Sequence, residues 1–134
     1  MKAYISVSFS KRKLLDKEIT AITHTLTAFK ITSFVFVDNY KFLPEQEQQM
    51  MQQAMSDIDD CDLLIAETSD KAIGIGIEAG YAKARSKPVI YVRHSNAEHS
   101  TTLSGISDFQ VIYSDPGDLK KQLERILNKV SAQA

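Results

Sequence analysis

Residues Asp62 to Ala82 read DLLIAETSDKAIGIGIEAGYA, and the succession of residue types is that of a strand, a polar loop and a helix. Asp62-Leu63-Leu64-Ile65-Ala66 is almost continuously apolar, as a strand covered on both faces should be. A glycine-punctuated turn at Gly74-Ile75-Gly76 leads into a small-residue helix over Ile75 to Arg85. Pro88 then stops that helix and opens a second apolar run, Val89-Ile90-Tyr91-Val92. Strand, helix and strand in that order make a parallel crossover unit. The alternation extends in both directions. Ala3–Val7, Ser33–Val37 and Phe109–Tyr113 read as three further strands. Leu15, Ile19, Ile22, Leu26 and Phe29 recur at helical spacing, and Met51, Ala54, Met55 and Ile58 share one face behind the polar run Pro44–Gln49. A last helix starts near Pro116 with Asp118 as its N-cap and buries Leu119, Leu123, Ile126, Leu127 and Val130. The expected fold class is α/β: a doubly wound, Rossmann-like or flavodoxin-like sheet of five parallel strands with helices on both faces, forming one domain over residues 1–134.

The 134 residues, 43% of them hydrophobic, are enough for one core. Sixteen Lys and Arg against seventeen Asp and Glu leave a net charge of -1. That balance excludes the basic footprint of a nucleic-acid polymer binder, so an anionic ligand needs a local site. A single cysteine, Cys61, excludes a disulfide framework and a multi-cysteine metal cluster. No apolar run approaches the ~20 residues that span a bilayer, and the first strand follows Met1-Lys2 with no secretory-type segment between. A cytoplasmic protein without a membrane partner is expected.

Gly74-Ile75-Gly76 has a bland reading, a tight loop with close helix-to-sheet packing. A dinucleotide site is the first sharper one, and it fits poorly. The spacing of Gly74, Gly76 and Gly80 is GxGxxxG, the motif follows the third strand, and Glu78 would set negative charge beside the phosphates. The other sharp reading centres on Glu78, since a carboxylate near a helix N-terminus is favoured as an anion and can serve as a nucleophile.

Asp62, Ala66, Glu67, Ser69, Gly74, Gly76, Glu78 and Gly80 follow one another in the pattern DxxxAE, a polar loop, then GxGxExG. In this the chain resembles the nucleoside 2-deoxyribosyltransferase superfamily, and within it the 2′-deoxynucleoside 5′-monophosphate N-glycosidases. The resemblance implies that Glu78 attacks the anomeric carbon of a deoxyribose and forms a covalent ester. Water or a second base completes the cycle, as in a retaining glycosidase. It also implies that Tyr4, on the first strand, hydrogen-bonds near the nucleophile; packing of an aromatic ring at a strand end is the alternative. Ser8, Ser10, Lys11 and Arg12 correspond to the loop that holds a 5′-phosphate, where the alternative is a solvated basic first turn of the first helix. Gly74 and Gly76 fall to substrate binding. Ser100, five residues before Gly105, matches a serine that reaches the phosphate of a neighbouring subunit, which implies a homodimer or larger assembly with a shared active site; a polar surface loop is the alternative.

The family pattern places an aspartate eight residues before Asp62 to assist departure of the base, and Ala54 stands there. Asp57, one helical turn later, is the candidate substitute. A solvated acidic helix end comprising Asp57, Asp59, Asp60 and Asp62 is the competing reading. His24, His94 and His99 lack zinc-ligand spacing, and no GxSxG elbow is present. No metal and no cofactor are expected. The partner expected is a small nucleotide or nucleoside. Three functional readings stay open: hydrolysis of a deoxynucleoside monophosphate, base exchange between deoxynucleosides, and nucleotide binding without catalysis.

Overall fold

The computed structural model describes residues 1–132. The strands are five and all parallel, as the alternating pattern implies, and they lie in the order β2-β1-β3-β4-β5. They are β1 (Lys2–Val7), β2 (Thr32–Val35), β3 (Leu63–Glu67), β4 (Val89–His94) and β5 (Phe109–Tyr113). The helices are α1 (Asp16–Ala28), α2 (Phe36–Asn39), α3 (Glu47–Asp59), α4 (Ile73–Ala84), α5 (Thr101–Ile106) and α6 (Pro116–Ala132), with a short 3-10 turn at Arg12–Leu15.

Strand alternation divides the core in two. Ala3, Ile5 and Val7 of β1 pack with Ile19, Ile22 and Leu26 of α1 and Leu119, Leu123 and Leu127 of α6. Tyr4 faces the other way, among Ala54 and Ile58 of α3, Ile75, Ala79 and Ala82 of α4, and Leu103 of α5. The order of the strands reverses at β1. From β1 the chain leaves toward α1 on one face, and from β3 it leaves toward α4 on the other. The divergence opens a crevice beyond the carboxyl ends of these two strands, where ligands of such sheets bind.

Both α1 and α4 end without glycine. Lys30 (φ 58°) and Ser86 (φ 61°) occupy the left-handed position after each helix. Around them Ile31 N–H donates to Leu26 O and Lys30 N–H to Thr27 O, while Lys87 N–H donates to Ala82 O and Ser86 N–H to Lys83 O, two Schellman closures.

Five local expectations need correction. The second strand stops at Val35, because Phe36 turns inward to stack on Tyr4 (ring centroids 6.0 Å apart) and Asn39 Nδ2 closes the turn by donating to Val35 O at 2.7 Å. The glycines at 74 and 76 lie inside α4 with ordinary helical dihedrals, so the turn is made by residues 68–72. Lys11, Arg12 and Lys13 belong to the 3-10 turn and its approach, and the first turn of α1 carries Asp16 and Glu18, which suit its dipole. The segment after Ser100 is a short helix, with Ser100 Oγ accepting from Leu103 N–H at 3.3 Å. The cap of α6 is Asp115, whose Oδ1 accepts from Asp118 N–H at 2.8 Å. Asp118 sits at the third helical position and its carboxylate accepts from Ser114 N–H at 3.0 Å.

Candidate active site

Tyr4 and Ser6 alternate along β1 toward α4, Ser8 follows just beyond the strand end, and all three are buried. Glu78, in the second turn of α4, reaches down onto this row. Tyr4 O–H donates to Glu78 Oε2, and Ser6 O–H donates to Oε1 at 2.7 Å. Among the described residues no Lys, Arg or His forms an ion pair with Glu78. Burial therefore dominates and pushes its carboxyl above the ordinary value of 4.5, while the two hydroxyl donors pull it partly back. Burial, then the charge of Glu78, hold the Tyr4 phenol far above its ordinary range, so it remains a protonated donor. The result is a carboxylate oriented by two neutral donors, with no cation to quench it, as nucleophilic attack requires.

Tyr4 also feels the charge of Asp57 on α3. Asp57 Oδ1 accepts from Gln53 Nε2 at 3.0 Å, and its Oδ2 is buried with no hydrogen-bond partner among the described residues. The Tyr40 hydroxyl neighbours the same carboxylate and is raised by burial first and by Asp57 second. Tyr4, Phe34, Phe36, Tyr40 and Phe42 form a chain of ring contacts along this flank, with centroids 5.0 to 6.2 Å apart. Ala54, by contrast, is 1% exposed and packed in the core. The structure thus draws Tyr4, Glu78 and Asp57 to one region and leaves position 54 as packing.

The loop after β1 is arranged differently from the sequence expectation. Arg12 is spoken for: Nε and Nη2 donate to both oxygens of Asp38 at 2.9 and 2.8 Å, and Nη1 donates to Asp16 at 2.8 Å. These partners hold the guanidinium above its ordinary value. Ser8 Oγ donates to Asp70 Oδ2 at 2.8 Å and lies 3.2 Å from Ser10 Oγ. Lys11 and Ser10 are exposed, and Lys11 has no ion-pair partner among the described residues.

A cleft of about 420 Å³ opens between the start of α4 and the start of α5, lined among others by Thr68, Lys71, Ile75, Gly76, Ser100 and Leu103. Glu78 does not line it; that side chain leaves the β1 side of the same helix. A Cβ added at Gly74 or Gly76 would meet nothing within 4 Å, so packing inside the chain does not demand glycine at either position. Of the two, Gly76 lines the cleft and leaves room there.

Sequence reading missed Ser6, Gln53 and Tyr40. Ser6 was within reach of period-two reasoning, being two residues from Tyr4 on the same strand face. Gln53 and Tyr40 depend on how α2 and α3 pack and carry no local signal. Among the described residues no three His, Cys, Asp or Glu are grouped to hold a metal ion, and no helix is long and apolar enough to cross a membrane.

A doubly wound sheet with a helix-borne carboxylate held over its first strand defines the class, and comparison with known proteins supplies the family. A family model for nucleoside 2-deoxyribosyltransferase matches residues 8–126. The chain belongs to the nucleoside 2-deoxyribosyltransferase family, whose members transfer or hydrolyse glycosyl groups. A protein of Syntrophotalea carbinolica provisionally named 2′-deoxynucleoside 5′-phosphate N-hydrolase 1 is 46% identical over 41 residues, 31% of this chain and 29% of that protein. The matched segment is thus under a third of that relative's length. Two solved structures share the fold. The Clostridium botulinum CMP N-glycosidase BcmB gives a TM-score of 0.65 at 20% identity, covering 97% of this chain and 99% of that one. The 2-deoxyribosyltransferase of Bacillus psychrosaccharolyticus gives 0.70 at 17% identity, covering 90% of each.

Proposed function

We propose that the protein hydrolyses the N-glycosidic bond of a 2′-deoxynucleoside 5′-monophosphate, releasing the free base and deoxyribose 5-phosphate. The observation that carries this reading is the Glu78 carboxylate, oriented by Tyr4 and Ser6 and ion-paired with no cation among the described residues. In the first step a Glu78 oxygen bonds to C1′ as the C1′–N bond breaks. The bonding pair leaves with the base, which takes up a proton. In this reading Asp57 delivers it, supported by its buried Oδ2, which has no hydrogen-bond partner among the described residues. In the second step a water oxygen attacks C1′, the C1′–O(Glu78) bond breaks and regenerates the carboxylate, and the water's proton passes to Asp57, which is thereby restored to its starting form. Tyr4 and Ser6 keep the attacking oxygens in place in both steps.

The phosphate falls to Ser10, Lys11 and the backbone of the loop after β1, with Arg12 held back by its two carboxylates. Ser100, at the cleft rim, is offered to the phosphate of a second copy, so the working form is a homodimer or larger. Incubating the protein with deoxynucleosides, their monophosphates and CMP, with and without a second free base, and following base release by chromatography tests the assignment. Release from monophosphates that is abolished by Glu78→Ala is the expected outcome. Undiminished release from that variant would falsify the nucleophile.

One observation favours a second reading. Asp70 lies on Ser8, and Asp38 and Asp16 neutralise Arg12, so the loop after β1 is less cationic than its sequence suggests. An unphosphorylated nucleoside would not need that loop. Base exchange in the presence of a free acceptor base, with monophosphates untouched, would select transfer over hydrolysis. Binding of a monophosphate without turnover would select a non-catalytic member.

A further inference from the structure

Glu67 is a carboxylate with no part in the chemistry above. It ends β3, is 0% exposed, and belongs to the face of the sheet opposite Glu78, since its neighbours across the sheet, Val7 and Val92, both lie in the α1 and α6 core. It therefore cannot touch a substrate held by Glu78. Its surroundings all donate. Ser69 N–H reaches Oε1 at 2.5 Å, and Ser69 O–H and Tyr113 O–H reach Oε2 at 3.0 and 2.7 Å. Ser69 Oγ in turn accepts from His94 N–H at 3.0 Å. The side chain of residue 67 thus bends the chain back on itself two residues later and ties the bend to the ends of β4 and β5.

What the bend carries is one rim of the cleft between α4 and α5. Thr68, Lys71 and Ala72 line the cleft, and Asp70 holds Ser8 of the loop after β1. Glu78 has separate anchors in Tyr4 and Ser6. We infer that Glu67 is a positioning residue for substrate: through Ser69, Tyr113 and His94 it fixes the 68–72 turn, and with it both the rim of the cleft and the loop after β1, while leaving the nucleophile's own geometry alone. A neutral side chain could fill the same volume, but only an acceptor with two oxygens satisfies three donors at once. The substrate-facing half of this inference rests on the glycosyl-transfer reading above; the fixing of the turn does not.

The test uses the full chain and two variants, Glu67→Gln, which keeps the volume, and Tyr113→Phe, which removes one donor and is the milder change. Backbone hydrogen exchange read by mass spectrometry should quicken roughly tenfold or more over residues 68–72 in Glu67→Gln, less in Tyr113→Phe, with β1 and β3 unchanged. With the monophosphate that wild type turns over, KM should rise roughly tenfold and kcat stay within about twofold, because Glu78 keeps its anchors. The double variant should be no worse than Glu67→Gln alone, since both changes cut one network. Exchange at 68–72 that is unaltered in both variants overturns the inference. So does exchange that quickens uniformly through the chain with KM unchanged, the signature of a merely structural role. A wild-type protein that turns over nothing removes the functional reading, and the exchange measurement still decides whether Glu67 holds the turn.

Discussion

The phenolic hydroxyl of Tyr4 on β1 donates to Oε2 of Glu78 on α4, 74 positions away in sequence, and this bond joins the first strand to the helix that leaves the third. Because it stabilises the anionic form of Glu78, it opposes the burial that favours the neutral form. Attack on C1′ needs the anion, so base release should fall as the pH drops through a point above the ordinary carboxylate range. In Tyr4→Phe the stabilising donor is gone, the carboxyl rises further, and the acid limb of the pH–rate profile should move to higher pH. At neutral pH kcat/KM should fall by roughly 10–100-fold. A profile that stays in place in Tyr4→Phe would show that the limb belongs to another group.

Asp57 is assigned to the leaving base, and a substrate that needs no proton isolates that role. Asp57→Asn should slow release of ordinary bases by roughly 10²–10⁴-fold. Release of a base that is already cationic, such as 7-methylguanine from its deoxynucleotide, should be nearly unaffected. Equal losses for both would remove Asp57 from proton transfer. Moving the carboxylate to position 54 should not restore it: Ala54→Asp sets a charge among Tyr4, Phe36 and Ile58 and should cost about 2 kcal/mol or more of stability, read by urea unfolding.

Arg12 and Lys11 separate by their partners. Lys11→Ala should raise KM for the monophosphate several-fold and leave the KM of the parent nucleoside unchanged. Arg12→Gln should leave both unchanged and lower stability by about 1 kcal/mol, since only its pairs with Asp38 and Asp16 are lost. Loss of monophosphate selectivity in Arg12→Gln would return that residue to the phosphate.

Stability should pass through a maximum in mild acid. Burial raises the carboxyls of Glu67 and Glu78, whose unfolded value is about 4.5, so the fold holds these protons more tightly than the unfolded chain does. Stability contributed in this way appears as pH falls through the raised values and is complete near 4.5. Asp59, held down by Arg85, and Asp118, held down by Ser114 N–H, act in the opposite sense, and their contribution is lost below their unfolded value of about 3.8. Thermal midpoints measured from pH 7 to pH 3.5 should rise, then fall, and the rise should flatten when Glu67 and Glu78 are both Gln. A monotonic decline from pH 7 would contradict the burial argument.

The left-handed residues after α1 and α4 are side chains where a Schellman closure favours glycine. Lys30→Gly or Ser86→Gly should add about 0.5–1 kcal/mol. That corresponds to roughly 2–4 °C in the thermal midpoint.

The sheet and the main helices were legible because strand alternation and helical stripes are local and strong: Leu63 to Ala66 and Ile19 to Leu26 each declare their element alone. Glu78 and Tyr4 were legible only together, through spacing and resemblance. Partnership was not legible. Arg12 reads as a free cation until α2 brings Asp38 beside it, and Phe36 reads as strand until its ring finds Tyr4. Asp115 and Asp118 both fit a cap, and backbone phase alone selects Asp115. Such choices are made by contacts between elements distant in sequence, which periodicity does not encode.

Gly74, Gly76 and Gly80 put bare peptide along the helix that bears Glu78, and a methyl at any of them would touch nothing within 4 Å. A helical glycine is about 0.5–1 kcal/mol less favourable than alanine, so the fold forgoes rigidity here in exchange for empty space. Gly76 can therefore serve as a gauge. Alanine there firms the helix while trimming the cleft by one methyl, and the resulting trade between heat resistance and tolerance for bulky substrates can be graded from Gly to Ala to Ser without rebuilding any neighbour.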